Sequence, residues 1–137
     1  MTLPISRSYK RGLTFPNEGF VQRSIETHFR QAGFELITDS RVDLLCKHPV
    51  NGESWHIEAK GETSQVGLDF RTGLGQLVQA MHSRTSKHGI AIPDTPAFHA
   101  QVDKLSNWVI SALGIHWLFV SQNGSVRIVE PIFQQSS

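Results

Sequence analysis

The stretch from Arg41 to Gly61 sets the tightest limits on what this chain can fold into. Two extended runs, Arg41-Val42-Asp43-Leu44-Leu45-Cys46 and Ser54-Trp55-His56-Ile57-Glu58-Ala59-Lys60-Gly61, flank an Asn51-Gly52 pair. Such a pair between two extended runs marks a hairpin, because both residues tolerate the positive φ that tight turns demand. Antiparallel pairing then brings Asp43, near the start of the first strand, beside Glu58 and Lys60 at the end of the second. Side chains alternate along a strand, so Glu58 and Lys60 point to one face. Two carboxylates and an ammonium at one sheet edge are the ingredients of a site for a divalent metal and an activated water.

The remaining sequence must supply a core around that hairpin. With 137 residues, 39 % of them hydrophobic and 18 % charged, the composition fits one globular domain. No apolar run is long enough to span a membrane and no secretory signal pattern opens the chain, so the expectation is a cytoplasmic protein with no membrane partner. The single cysteine excludes an intramolecular disulfide, and Cys46 within an apolar strand reads as a small buried hydrophobe. The net charge of +1 says little about a polyanionic partner. Its distribution says slightly more, with Arg7, Lys10, Arg11, Arg23 and Arg30 gathered near the start against Glu18 and Glu26.

In chain order, residues 1–16 read as an irregular arm, residues 17–133 as a single domain and residues 134–137 as a frayed tail. Asn17 caps a helix on which Val21, Ile25, Phe29 and Ala32 recur at helical spacing up to Gly33. Glu26 lies beside that stripe, placed either to lean over a packed sheet or to pair with Arg30. Phe34 to Ile37 forms a short strand, Thr38 to Ser40 its turn, and the hairpin follows. The polar segment from Gly61 to Gly73 reads as a loop across the mouth of the site, with Thr63, Ser64, Gln65 and Arg71 as candidate phosphate contacts. Leu74, Leu77, Val78 and Met81 make a helical core stripe, with Gln76 and Gln79 towards the other side. Gly89 to Ile92 is a strand with the unalternating apolar character of a central position. Val102, Leu105, Trp108, Val109, Ala112 and Leu113 mark one amphipathic helix ending at Gly114, with Trp108 and Trp117 as core residues. Ile115 to Val120 and Val126 to Val129 form a final pair of strands around Asn123-Gly124.

The chemistry of the hairpin edge follows from hard-ligand preferences. Mg²⁺ or Mn²⁺ takes oxygen ligands, which Asp43 and Glu58 supply, with the backbone carbonyl of Ala59 as a further one. Lys60 then polarises the attacking water or stabilises charge on the phosphate. Glu26 completes the shell from the first helix. The seven histidines show no compact zinc-ligand spacing, and His56 shares the face of Glu58 and Lys60 through strand periodicity.

The set Glu26, Asp43 and Glu58-Ala59-Lys60 resembles the PD-(D/E)xK phosphodiesterase superfamily over roughly residues 17–92. The resemblance implies an α/β fold, a restriction-endonuclease-like three-layer α/β/α core with a central mixed β-sheet. It carries Asp43 over as the first acid, Glu58 and Lys60 as the acid-x-lysine element and Glu26 as the helix-borne acid. Gln76, in the helix after the strands, resembles the glutamine of the branch holding Holliday-junction resolvases and methylation-dependent restriction nucleases. Two positions depart from the pattern: Arg41-Val42 replaces the proline that names the motif, and Ala80 stands where that branch often has an aromatic residue. The implied activity is Mg²⁺-dependent hydrolysis of DNA in repair or recombination, restriction or mobile-element processing. The chain's small size favours recognition of DNA structure or reliance on a partner, either a second copy in a homodimer or a larger defence or repair complex. Two other readings stand beside it: a nuclease-like module that binds without cleaving, and a structural domain in which Asp43 and Lys60 form a sheet-edge ion pair.

Overall fold

The computed structural model describes residues 7–37 and 41–131. Among them, a six-stranded mixed sheet runs in the order of the chain: β1 (Glu35–Ile37), β2 (Leu44–Lys47), β3 (Ser54–Ala59), β4 (Lys87–Pro93), β5 (Ile115–Val120) and β6 (Val126–Val129). β1, β2 and β3 form an antiparallel meander, β3, β4 and β5 are parallel, and β6 returns antiparallel. The helices are α1 (Glu18–Gln31), α2 (Val66–Gln79), α3 (Pro96–Val102) and α4 (Asn107–Leu113), with a 3-10 turn at Arg7–Arg11.

Strand alternation divides the apolar residues between two cores. On one face, α1 lays Val21, Ile25 and Phe29 over Cys46, Trp55, Ile57, Ala91 and Leu118. The other face carries Ile90, Ile92, Ile115, Trp117 and Phe119, covered by Phe70 and Leu77 of α2, Phe98 of α3 and Ile110 of α4. The arrangement is α/β with three layers. Burial on both faces explains the apolar stretch Gly89 to Ile92 in β4 and a β5 that is apolar apart from His116, and all six residues of β5 are buried.

The hairpin forms where the Asn-Gly pair places it. Gly52 takes φ +75°, its N–H donates to the His48 carbonyl at 3.0 Å, and Leu44 stands opposite Ile57. Three expectations need correction. The segment from Gly61 to Gly73 is only partly a loop, since α2 begins at Val66; Val66, Phe70, Gly73 and Leu77 already repeat at helical spacing, which the glycines obscure. The helix expected across Val102 to Leu113 is two helices, broken at residues 103–106, with Ser106 as the N-cap of the second. That break rotates Trp108 out of the core: it is 64 % exposed, whereas Trp117 is buried as expected. Within the arm, Arg7–Arg11 is ordered as a turn against α1. The Thr38-Asp39-Ser40 turn and the tail at 134–137 lie outside the described residues.

Candidate active site

Continuing the β2–β3 register by one position sets Asp43 opposite Glu58. Asp43 Oδ2 accepts the Ala59 backbone N–H at 2.9 Å, and the Asp43 carboxyl hydrogen-bonds that of Glu58. Glu58 is only 4 % exposed. Lys60 lies two residues on, buried on the same face, and its own N–H donates to the Ala91 carbonyl at 2.9 Å, which ties this end of β3 to β4. The lysine stem runs across α2 at Gly73, where a Cβ would stand 2.8 Å from Lys60 Cγ. Gly73 is therefore the gap in α2 through which Lys60 passes.

The fold adds a carboxylate that the sequence reading did not place here. Glu18, in the first turn of α1, is buried, and its Oε1 lies 3.8 Å from Lys60 Nζ and 3.1 Å from Arg11 Nη1. A helix N-terminus favours such a carboxylate through its unpaired N–H groups. The close approach of α1 depends on Gly61, whose added Cβ would fall 2.2 Å from Glu18 N. Arg11, Glu18, Lys60, Glu62, Asp69 and Thr72 line a cleft of about 180 Å³. Its rim is fixed by polar ties: Thr95 Oγ1 donates to Glu62 Oε1 at 2.6 Å, and Thr63 Oγ1 to Asp69 Oδ2 at 2.7 Å.

The remaining candidates sit further out. Glu26 is joined to Asp43 through Gln22, whose Nε2 donates to Glu26 Oε2 at 2.9 Å and to the Asp43 backbone carbonyl at 2.8 Å. Tyr9 OH donates to the other Glu26 oxygen. Gln76 is exposed on α2, one turn beyond Gly73. Thr63, Ser64 and Gln65 in the loop and Arg71 on α2 are all exposed, and of these only Thr63 lines the cleft. His56 follows the face of Glu58, its ring 5.3 Å from that of His88. Glu18 had one legible signal, its place directly after Asn17, and Gln22 had its i,i+4 spacing to Glu26; Arg11 and Tyr9 had none, since their partners are brought to them by tertiary packing.

Burial pushes the Glu58 carboxyl well above the usual carboxylate range, reinforced by its hydrogen bond with Asp43 and the Asp43 charge. Lys60 opposes the shift and Glu18 adds to it. A group raised in the folded state stabilises it fully below its unfolded pKa, near 4.5, and loses that contribution as pH rises through the folded value. Burial lowers His28, His88 and His116, which acts in the opposite direction below pH 6.5, but those groups are common to both proteins in a comparison with Glu58→Gln. Urea unfolding in chelator should therefore show wild type losing stability relative to Glu58→Gln as pH rises from 5 to 9. A constant difference across that range would contradict the shift.

Asp43 and Glu58 suit a hard divalent cation, because two adjoining carboxylates in a buried setting hold more negative charge than Lys60 balances. Among the described residues, no group of three or more His, Cys, Asp and Glu side chains is arranged to hold a metal ion. A metal at this position would therefore have two carboxylates from the chain, with a backbone carbonyl, water or substrate oxygen as further ligands. No protein-family model matches the chain, and a search of the curated proteins finds no match. Among the described residues, no helix is long and apolar enough to cross a membrane.

Proposed function

We propose that this chain is a metal-dependent endonuclease of the PD-(D/E)xK kind, with a restriction-endonuclease-like core, hydrolysing phosphodiester bonds in DNA. The observation that carries the reading is the meeting of Asp43, Glu58 and Lys60 at one end of β3, with the two carboxyls in contact and the ammonium beside the cleft. A structural ion pair requires one acid and one base; here Asp43 and Glu58 adjoin at a cost that only a ligand or a proton offsets.

Asp43, Glu58 and the Ala59 carbonyl would hold Mg²⁺ or Mn²⁺, which when bound supplies Lewis acidity towards the phosphodiester and towards water. Lys60 donates to the phosphate oxygens as negative charge grows on them. Glu18 orients that ammonium from the opposite side. Arg11, at the mouth of the cleft, meets the incoming phosphate backbone. Gln76, exposed on α2 one turn beyond Gly73, would meet DNA lying outside the cleft rather than the groups within it.

A cleft of about 180 Å³ admits a phosphate and its sugar rather than a duplex, so DNA lies across the mouth and is selected by its structure. A homodimer or a larger defence or repair complex would supply the second cut of a duplex. Repair or recombination, restriction and mobile-element processing are the settings such an activity serves.

The test is incubation of the folded chain with single-stranded, linear duplex, flapped and four-way-junction DNA, in Mg²⁺ or Mn²⁺ and in chelator. Cleavage of at least one substrate only in metal is expected. DNA binding without cleavage on every substrate would favour the binding module instead. Arg11→Ala should raise KM about fivefold with kcat little changed, the effect of removing one exposed phosphate contact; an unchanged KM would remove Arg11 from the interface.

A further inference from the structure

We propose that Tyr9, Glu26 and Gln22 form a positioning relay that fixes Asp43, so that the N-terminal 3-10 turn is a working part of the site. Its catalytic consequence rests on the nuclease reading; the relay itself does not.

The geometry runs in one line from the arm to the strand. Tyr9 OH donates to Glu26 Oε1. Glu26 Oε2 accepts one hydrogen of the Gln22 amide at 2.9 Å, and the Asp43 carbonyl accepts the other at 2.8 Å. Gln22 is completely buried, and its NH₂ group has two hydrogens, so both are committed. The amide cannot turn over without presenting its oxygen to two acceptors. Glu26 is in the same way held from both sides, and burial with the Glu26 contact raises Tyr9 to about 12, so it remains a donor.

Asp43 immediately precedes β2, just outside the strand, and needs such an anchor. Its main chain is held by Gln22 on the α1 side, while its Oδ2 accepts Ala59 N–H at 2.9 Å on the β3 side. The carbonyl anchor sets the direction of the Asp43 Cα–Cβ bond, and with it the carboxyl that meets Glu58. Glu26 therefore acts through Gln22 and is a positioning residue, although the sequence suggests a place for it in the metal shell.

The Ala59 amide reports on Asp43 without metal, DNA or activity. In the metal-free chain, hydrogen exchange at Ala59 should quicken about tenfold in Tyr9→Phe and in Gln22→Met, the loss expected when one hydrogen bond loosens. The next amide, Lys60, donates to Ala91 on the other edge of β3 and should keep its wild-type rate. Wild-type exchange at Ala59 in both variants would overturn the relay. So would equal acceleration of Ala59 and Lys60, which would mean general loosening of β3.

A second readout tests the catalytic consequence. In wild type that cleaves DNA, Tyr9→Phe should raise the half-saturating Mn²⁺ concentration severalfold, with KM for DNA unchanged and full activity regained at high Mn²⁺. An unchanged Mn²⁺ requirement would overturn that consequence. Failure of wild type to cleave any DNA would instead defeat the nuclease reading and leave the Ala59 result standing.

Discussion

Lys60→Met is expected to lower kcat for metal-dependent DNA cleavage by a factor of about a hundred to a thousand, the usual cost of removing one preorganised donor from a developing anion. Methionine keeps the unbranched stem that passes Gly73, so the packing of α2 on β3 survives. What disappears is the ammonium between Glu18, 3.8 Å away, and the Asp43–Glu58 pair. Glu18 then keeps Arg11 as its basic partner, and Glu58 loses the positive charge that opposes the rise of its carboxyl. Breaking a buried pair from one side costs about 3 kcal/mol, so the variant should also unfold at lower urea. Divalent metal should recover part of that loss by neutralising the carboxylates. Lys60→Arg should not restore the rate, because a guanidinium is broader than an ammonium and Lys60 already fills the space left by Gly73. Steady-state kinetics with both variants would check this, and near-wild-type kcat in Lys60→Met would exclude Lys60 from the chemistry.

Gly61→Ala should be the most damaging single-methyl substitution at the site. The added carbon would lie 2.2 Å from Glu18 N and 2.7 Å from the Asn17 carbonyl carbon. Both are backbone atoms at the start of α1, so no side-chain rotation relieves the clash. Relief requires the N-terminus of α1 to move off β3, which carries Glu18 away from Lys60 and disturbs the Pro16 carbonyl that accepts Glu62 N–H at 2.9 Å. Forced overpacking of this kind costs about 3 kcal/mol, or roughly a 10 °C fall in Tm for a domain of this size. Gly52→Ala, with no atom within 4 Å of its added carbon, carries only the strain of a positive φ and should fall by much less. Thermal unfolding of the two variants side by side would decide; equal losses would mean that α1 is not seated against Gly61.

Local signals and tertiary ones were unequally readable. The meander, the Asp43–Glu58 register and the shared face of Glu58 and Lys60 follow from a strand period of two and one Asn-Gly turn, so they could be read directly. The central place of β4 was readable from the unalternating apolar run Gly89 to Ile92. The split between α3 and α4 was not, because Val102, Leu105 and Val109 keep helical spacing across the break. That continuity placed Trp108 in a core from which the break at 103–106 removes it. Glu18 reads as an ordinary first-turn acid until packing against Gly61 brings it to Lys60, more than forty residues further along the chain. Tyr9 and Arg11 lay in a segment without periodicity, and only their contacts with Glu26 and Glu18 tie that segment to the site.

The central claim is that Asp43 and Glu58 hold a metal that the chain uses to cut DNA. The most direct measurement compares wild type with folded Glu58→Gln on the best-cleaved DNA, in Mn²⁺ and in chelator, with unfolding curves to confirm that both proteins are intact. Glu58→Gln keeps the size of the side chain and removes a metal-ligating charge, so cleavage should fall by at least about a thousandfold while the fold is retained. Cleavage by Glu58→Gln at the wild-type rate, or wild-type cleavage undiminished by chelator, would contradict the account.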